Sequence, residues 1–412
     1  MRPLVAYFRS LNPRLPAAVW VLQAGGLINA FGIGAVMPFV IIYLHTIRGI
    51  SLTVAGLAAA ANALGALPAG AAGGAWADRY GPKRLLMVAL LVQTVAICCF
   101  PLIRTGWHAI LLEMAVGAGA GMFWPSQSSL LTQLTPGDRI HAAFAQQRAT
   151  MNLGIGVGGL VGGVIAVASK PWTFDLLFLI DGATFLLFAL LLAWIPSPPR
   201  APHGAAAGSY ARVLRDRPFL GLLVVNTAFI AAGIVPLVEF LPVYAKSVAS
   251  VSEPAIGMIF FANTIVIVLF QVPVAHALEG RRRMPALALM GALWAVTWLA
   301  VPAAVERLEP TAAALALSAA AVALGVGECM QGAVQAPLVA DLAATALLGR
   351  YMALSSASWQ LGFVVGPAIG GRILDQHRIA LWVLASVTCA LAAAGALALE
   401  SAIPERLRRT RG

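Results

Sequence analysis

Gly74-Ala75-Trp76-Ala77-Asp78-Arg79-Tyr80-Gly81-Pro82-Lys83-Arg84 is a short charged knot between two long apolar runs, 52–73 before it and 85–103 after it. Gly81 and Pro82 supply a tight turn, and Gly74 lets the end of the first run approach a neighbour closely. Asp78 is the one acid among three bases. Arg79, Lys83 and Arg84 are costly in hydrocarbon and favoured on the cytoplasmic face, so the knot predicts two membrane spans joined by a hairpin that faces the cytoplasm.

The rest of the chain agrees. Its 412 residues are 60% hydrophobic and only 10% charged, with a mean hydropathy of +0.87, whereas soluble domains carry about 25% charged residues. The balance is that of a polytopic membrane protein. A net charge of +11 does not imply nucleic acid, because the bases sit in short gaps between apolar runs rather than on one face. Cys98, Cys99, Cys329 and Cys389 all lie inside apolar runs with no metal-ligand spacing, and they read as small core residues without a disulfide. Arg2, Arg9 and Arg14 precede an apolar segment, 17–44, that is too long for a signal-peptide core and is taken as the first span.

Runs long enough to cross a bilayer, about 20 residues each, fall near 18–44, 53–75, 85–104, 109–133, 143–168 and 174–195, then near 219–244, 255–278, 285–304, 311–336, 351–372 and 379–401. Threading these twelve alternately, with the Asp78 loop inside, puts most of the 27 Lys and Arg residues on the cytoplasmic side. Both termini are then cytoplasmic. Between the sixth and seventh runs the composition changes to proline, glycine and arginine, with Pro196, Pro198, Pro199 and Pro202 followed by Arg212, Arg215 and Arg217. The expected organisation is a six-helix lobe over 1–195, a cytoplasmic linker over 196–217 and a second lobe over 218–412.

The lobes also match each other. A shift of 201 places Ser51 on Ser252, Gly56 on Gly257, Asn62 on Asn263 and Asp78 on Glu279. Farther on, a shift of 208 places Gly154, Gly158, Gly162 and Gly163 on Gly362, Gly366, Gly370 and Gly371. Duplication of a six-span unit is a transporter signature.

The knot, written Gly-x3-Asp-Arg-x-Gly-x-Lys-Arg, resembles the loop 2-3 signature of the major facilitator superfamily. The glycines of the fifth span resemble the antiporter motif of its drug-efflux branch, except that Gly159 stands where that motif has proline; Pro367 supplies the proline in the second copy. Ordinary close packing is the other reading of these glycines. The resemblance implies an all-α integral membrane fold of twelve transmembrane helices in two pseudo-symmetric six-helix lobes, working by alternating access. It further implies that spans 1, 4, 7 and 10 line a central cavity. Asp78 and Arg79 would hold an inner gate, with Gly74, Gly81, Lys83 and Arg84 around them, against the start of span 11 near Gly349 to Tyr351.

Buried acids carry the chemistry. A carboxylate at mid-membrane costs roughly 2.5–3.5 kcal/mol on insertion scales and needs a reason to be there. Glu328, well inside span 10, is the leading candidate for proton coupling, and the stretch from Gly327 to Ala353 resembles the same region of multidrug and proton antiporters. A permanent hydrogen bond to a neighbouring helix is the alternative. Glu239 in span 7 and Glu113 in span 4 lie nearer the outer ends and are either gate carboxylates or groups that snorkel to water. Glu113 stands where many proton antiporters of the family have an arginine; Arg148 in span 5 is a partial substitute. Asp181 in peripheral span 6 reads as an interhelical hydrogen-bonding group. Asn29, Gln127, Arg148, Asn152, Asn226, Gln331, Gln335, Trp359 and Gln360 are the expected cavity residues. With Trp124, Trp294, Trp298, Phe123 and Met330 they would form an adaptable pocket for amphiphiles.

No phosphate-binding loop, metal-ligand spacing or nucleophile with a base is present in the sequence, so no cofactor, metal or enzymatic activity is expected. The expected partners are a small-molecule solute, protons and the lipid bilayer of the cell membrane, with no nucleic acid, and the expected state is a monomer. Export of amphiphilic drugs or metabolites by proton antiport is the leading function. A facilitator or symporter for a sugar, siderophore or amino acid is the alternative, and a lipid flippase or transport-dead sensor the reading from a different class.

Overall fold

The computed structural model describes residues 15–197, 210–343 and 347–410, and among these there is no strand. Among the described residues twelve long helices form one bundle. They are α1 (Ala17–Ile47), α2 (Leu52–Tyr80), α3 (Pro82–Cys98), α4 (Gly106–Leu134), α5 (Ile140–Ile165) and α6 (Trp172–Ala193), then α7 (Arg217–Ala249), α8 (Glu253–Ala277), α9 (Arg283–Arg307), α10 (Pro310–Leu342), α11 (Leu348–Gln376) and α12 (Ala380–Leu399). Their ends follow local chemistry. Ser51, Thr105 and Asp216 cap α2, α4 and α7 by accepting from the amides of Val54, His108 and Phe219. Gly81 turns the chain at φ +90°, and Pro82 opens α3, where no amide hydrogen is needed. Helices α1 and α7 are irregular, passing through 3-10 or π turns near Pro38 and Pro236, because proline removes a rung of the hydrogen-bond ladder.

Eleven of the twelve are long and apolar enough to cross a membrane among the described residues. The exception is α11. It has the length, at 29 residues, but Gly, Ser and Gln positions and Arg350, Arg372 and Asp375 dilute its apolar character. The helix α7 begins at Arg217 and is capped by Asp216, and Tyr210–Val213 forms one helical turn before it; the proline and glycine stretch 198–209 lies outside the described residues.

Packing repeats between the halves of the chain. Within helices 1–6, α1 packs on α5 and α6, and α2 packs on α4; within helices 7–12, α7 packs on α11 and α12, and α8 on α10. The halves meet through α2 against α11 and α5 against α8. The glycines explain these approaches. A Cβ at Gly158 or Gly162 would stand 2.1 or 2.2 Å from the carbonyl oxygens of Phe31 or Ala35 on α1, and one at Gly366 would stand 2.9 Å from that of Ala231 on α7. The last glycine of each series turns instead to the opposite half: Gly163 lies on Glu253 and Gly257, and Gly371 on Leu52 and Gly56. Gly154 joins the α1 contact, while Gly362 and Gly370 pack on Ile230 and Phe240 of α7. The carbonyl of Pro367 faces Gly56.

Candidate functional site

The bundle has two ends, one holding the Gly81 turn and one holding Ser51. Helices α4 and α10 both run from the Ser51 end to the Gly81 end. On α4, Gly117 fits against the backbone of Asn62 on α2; on α10, Gly325 fits against Asn263 on α8. Both asparagines hold a carboxylate. Asn62 Nδ2 donates to Glu113 Oε2 at 2.7 Å, and Asn263 Nδ2 donates to Glu328 Oε1 at 2.9 Å.

Each carboxylate also faces the opposite half. Glu239 of α7 lies within electrostatic reach of Glu113, and Arg148 of α5 acts in the same way on Glu328. The Arg148 guanidinium is 3.4 Å from where a Cβ on Gly332, one turn beyond Glu328, would sit. Glu113 is buried, whereas Glu239 and Glu328 are half-buried and Arg148 is exposed. Charged groups therefore face each other across the halves in two pairs, Glu113 of α4 with Glu239 of α7 and Glu328 of α10 with Arg148 of α5.

The expected polar lining divides. Asn226 donates to Ser358 Oγ at 2.8 Å and accepts from Gln331 Nε2 at 2.9 Å, so both are buried in a chain of bonds joining α10, α7 and α11. Asn29 is buried with its Oδ1 unpartnered, and Gln335 is half-buried with its Nε2 unpartnered. Gln127 is buried against Gly26 of α1. Asn152 bonds back to the Arg148 carbonyl on its own helix, and Gln360 is half-buried. Trp359 is 40% exposed and stacks on Phe363 with centroids 6.3 Å apart. Trp294 and Trp298 are corrections: both are fully buried inside helices 7–12, with Trp294 Nε1 bonded to the Leu324 carbonyl. Large rings in mid-helix there fill a core instead of lining a cavity. Asp181 is buried beside Gly32 of α1 and accepts from Thr184.

At the knot, Lys83 Nζ donates to the carbonyls of Ala193 and Ile195 and so caps the end of α6. Arg79 is exposed and lies over the Tyr80 ring, and Arg84 is exposed. The Asp78 side chain and the surroundings of Gly74 lie outside what the structure describes. Near the start of α11, Tyr351 donates to Asp216 Oδ2 at 2.7 Å.

Sequence reading missed the junction at the Ser51 end. Thr53 Oγ1 of α2 donates to Asp375 Oδ2 of α11 at 2.7 Å. The Ala168 amide, just past α5, donates to Glu253 Oε1 of α8 at 2.9 Å, and Lys246 pairs with the same oxygen at 3.0 Å. Both bonds join opposite halves, beside Gly371 and Gly163. Where the matched glycine series end was the available signal, since backbone contact there brings neighbouring side chains together.

The family model described as Major Facilitator Superfamily matches residues 23–252 and 240–411. The chain is 24% identical over 392 residues to the "Uncharacterized MFS-type transporter YhjO" of Bacillus subtilis, covering 95% of this chain and 94% of that one. It is 23% identical over 369 residues to "Multidrug resistance protein MdtH" of Aeromonas hydrophila, covering 87% and 88%. Among solved structures, the nucleoside transporter NupG (D323A mutant) superposes with a TM-score of 0.78 at 12% identity, over 93% of this chain and 99% of that one. A D-xylose-proton symporter superposes with a TM-score of 0.76 at 14% identity, over 95% and 98%.

Proposed function

Because the chain belongs to the major facilitator superfamily, a family of multi-pass membrane transporters and not of enzymes, we propose that it exports amphiphilic drugs or metabolites in exchange for protons. Glu328 carries the reading. It is a half-buried carboxylate on α10, held by Asn263 from its own half and faced by Arg148 from the other. Such a group exchanges a proton for a cationic solute, because either neutralises it and Arg148 stabilises the empty carboxylate. Glu113 and Glu239, from opposite halves, extend the proton route toward the Ser51 end. Similarity to a multidrug resistance protein supports the substrate class, and half-buried Gln335 and Gln360 with exposed Trp359 are the kind of mixed surface that suits amphiphiles.

The basic residues of the knot favour the cytoplasm, so the Gly81 end lies on the cytoplasmic face of the cell membrane and both termini are cytoplasmic. The structure, joined at the Ser51 end, is then the inward-facing member of an alternating pair. Residues 1–195 and 218–412 are the rocking units and 196–217 their linker. In the opposite state Asp78 and Arg79 close on the start of α11.

Proteoliposomes loaded with a fluorescent lipophilic cation test this under an imposed pH gradient. Gradient-driven movement in the wild type, lost in Glu328→Gln, is the expected result. Movement indifferent to both gradient and substitution would make the protein a facilitator.

A further inference from the structure

We infer that Asn62 and Asn263 are positioning residues that hold the two carboxylates at different depths, so that Glu113 exchanges protons with the Ser51 side and Glu328 with the Gly81 side. This rests on the proton-exchange reading above and adds to it the division of labour and the residues that set it.

The argument begins with register. Gly117 and Gly325 are separated by 208, the same shift that superposes the glycines of α5 on those of α11. Each packs on its asparagine, so the two asparagines mark corresponding points of the two halves. On that shift Glu113 corresponds to Ala321, and Glu328 to Ala120. Asn263 Nδ2 also donates to the carbonyl of Ala321 at 3.2 Å, the position Glu113 holds in the other half.

One amide thus serves two acceptors on α10, while its counterpart serves the carboxylate on α4. Seven residues separate Ala321 from Glu328, which is two helical turns or about 10 Å along the axis. Glu113 lies on the Ser51 side of its asparagine, and Glu328 on the Gly81 side.

The neighbours respect the stagger. Glu113 is faced by Asn62 from α2 and by Glu239 from α7. Glu328 is faced by Asn263 from α8 and Arg148 from α5, with Cys329 beside it on its own helix. An acid partner toward one end and a basic partner toward the other make the two centres chemically distinct. An amide donor orients each carboxylate without neutralising it, which leaves the proton free to exchange.

The test uses proteoliposomes in one orientation, with pH varied on each side separately, and compares Asn62→Leu with Asn263→Leu. The expected result is a split: the first changes the rate's dependence on pH at the Ser51 side only, the second at the Gly81 side only, and glutamine at either position restores it. Equal effects on both sides, or none, would overturn the assignment.

A second measurement stands apart from transport. In detergent, the carboxyl infrared bands are assigned by Glu113→Gln and Glu328→Gln and then titrated. Each asparagine variant is expected to displace the midpoint of its own partner by about one to two pH units, the worth of a hydrogen bond to a charged group. Unmoved bands would overturn positioning. Moved bands in a protein whose transport ignores the gradient would uphold positioning and overturn proton exchange instead.

Discussion

Helices 1–6 and helices 7–12 share their packing almost position for position, yet they keep their polar groups in different places. The glycines of α5 and α11 make equivalent contacts with α1 and α7, and the last of each series crosses to the other half. Around Asn62 and Asn263 the acceptors differ: a carboxylate on α4, but on α10 a carbonyl and a carboxylate two turns farther along the helix. A backbone approach under 3 Å from where a Cβ would be has one solution, the loss of the side chain. An amide donor accepts any oxygen within reach, so polar chemistry drifts while packing stays.

The largest effect separates the two glycine series. Gly158→Leu drives a side chain into the Phe31 carbonyl, with the backbone of α1 behind it, and is expected to cost about 3 kcal/mol or more. Gly366→Leu meets Ala231 at 2.9 Å and the side chain of Val235, which can turn aside, so the cost is smaller. Size-exclusion profiles and Tm in detergent check the order: loss of the monodisperse peak for Gly158→Leu, a lowered Tm for Gly366→Leu. Equal tolerance would mean that the match between the series is one of sequence alone.

The next comparison concerns the junction. Gly163→Val places a branched side chain where a Cβ would already lie 2.6 Å from the Glu253 carbonyl across the halves. The half itself should fold normally while closure at the Ser51 end fails. Transport falls to background, and a cysteine introduced at Ser247 becomes more reactive to an impermeant thiol reagent. Unchanged labelling would place the fault within the half instead.

The residues that made the fold legible were those with a single physical use. Arg79, Lys83 and Arg84 mark an end of two spans, and glycines four apart on α5 and α11 mark faces that lie against a neighbouring backbone. The less apolar α11 reads as a span from its run near 351–372, and the glycine match agrees with that. The candidate site was legible as a set of acids and polar residues, Arg148 among them, but not as pairs. Glu328, Glu113 and Glu239 are conspicuous in hydrocarbon, but their partners depend on how α2 meets α4 and α8 meets α10. Asn62 and Asn263 stand out as matched polar residues, but nothing in the sequence pairs them with the acids. Asp375 and Glu253 lie at helix ends, where nothing local in the sequence separates a solvated carboxylate from one that joins two halves. Trp294 and Trp298 misled for a related reason: hydropathy does not tell which face of a helix meets the core.

Loss of one junction bond should act more gently. Thr53→Val removes the bond to Asp375 and leaves α2 and α11 otherwise packed. A bond of about 1 kcal/mol shifts the balance between states about fivefold toward opening at the Ser51 end. Spin-label distances across that end, measured with and without the substitution, give the population directly. A shift much larger than this would mean that Asp375 has a further partner when the end opens.

The smallest effect compares two tyrosines that the shift of 201 also superposes, Tyr43 and Tyr244. Tyr43 donates toward the Phe100 carbonyl at 3.1 Å and Asp175 at 3.2 Å, and accepts from Arg48 Nε at 2.7 Å; Arg48 also bonds the Pro101 carbonyl. Tyr244 reaches Glu306 at 3.3 Å, and its ring packs on Trp382 with centroids 4.9 Å apart. One hydroxyl is the centre of a polar cluster; the other is the tip of a mainly aromatic contact. Tyr43→Phe is therefore expected to cost about 1–2 kcal/mol, since Arg48 loses a short bond inside the protein, and Tyr244→Phe less than about 1 kcal/mol. Tm in the same detergent ranks them. Equal losses would indicate that ring packing, common to both sites, carries the stability, and that the cluster around Arg48 orients the end of α1 without strengthening it.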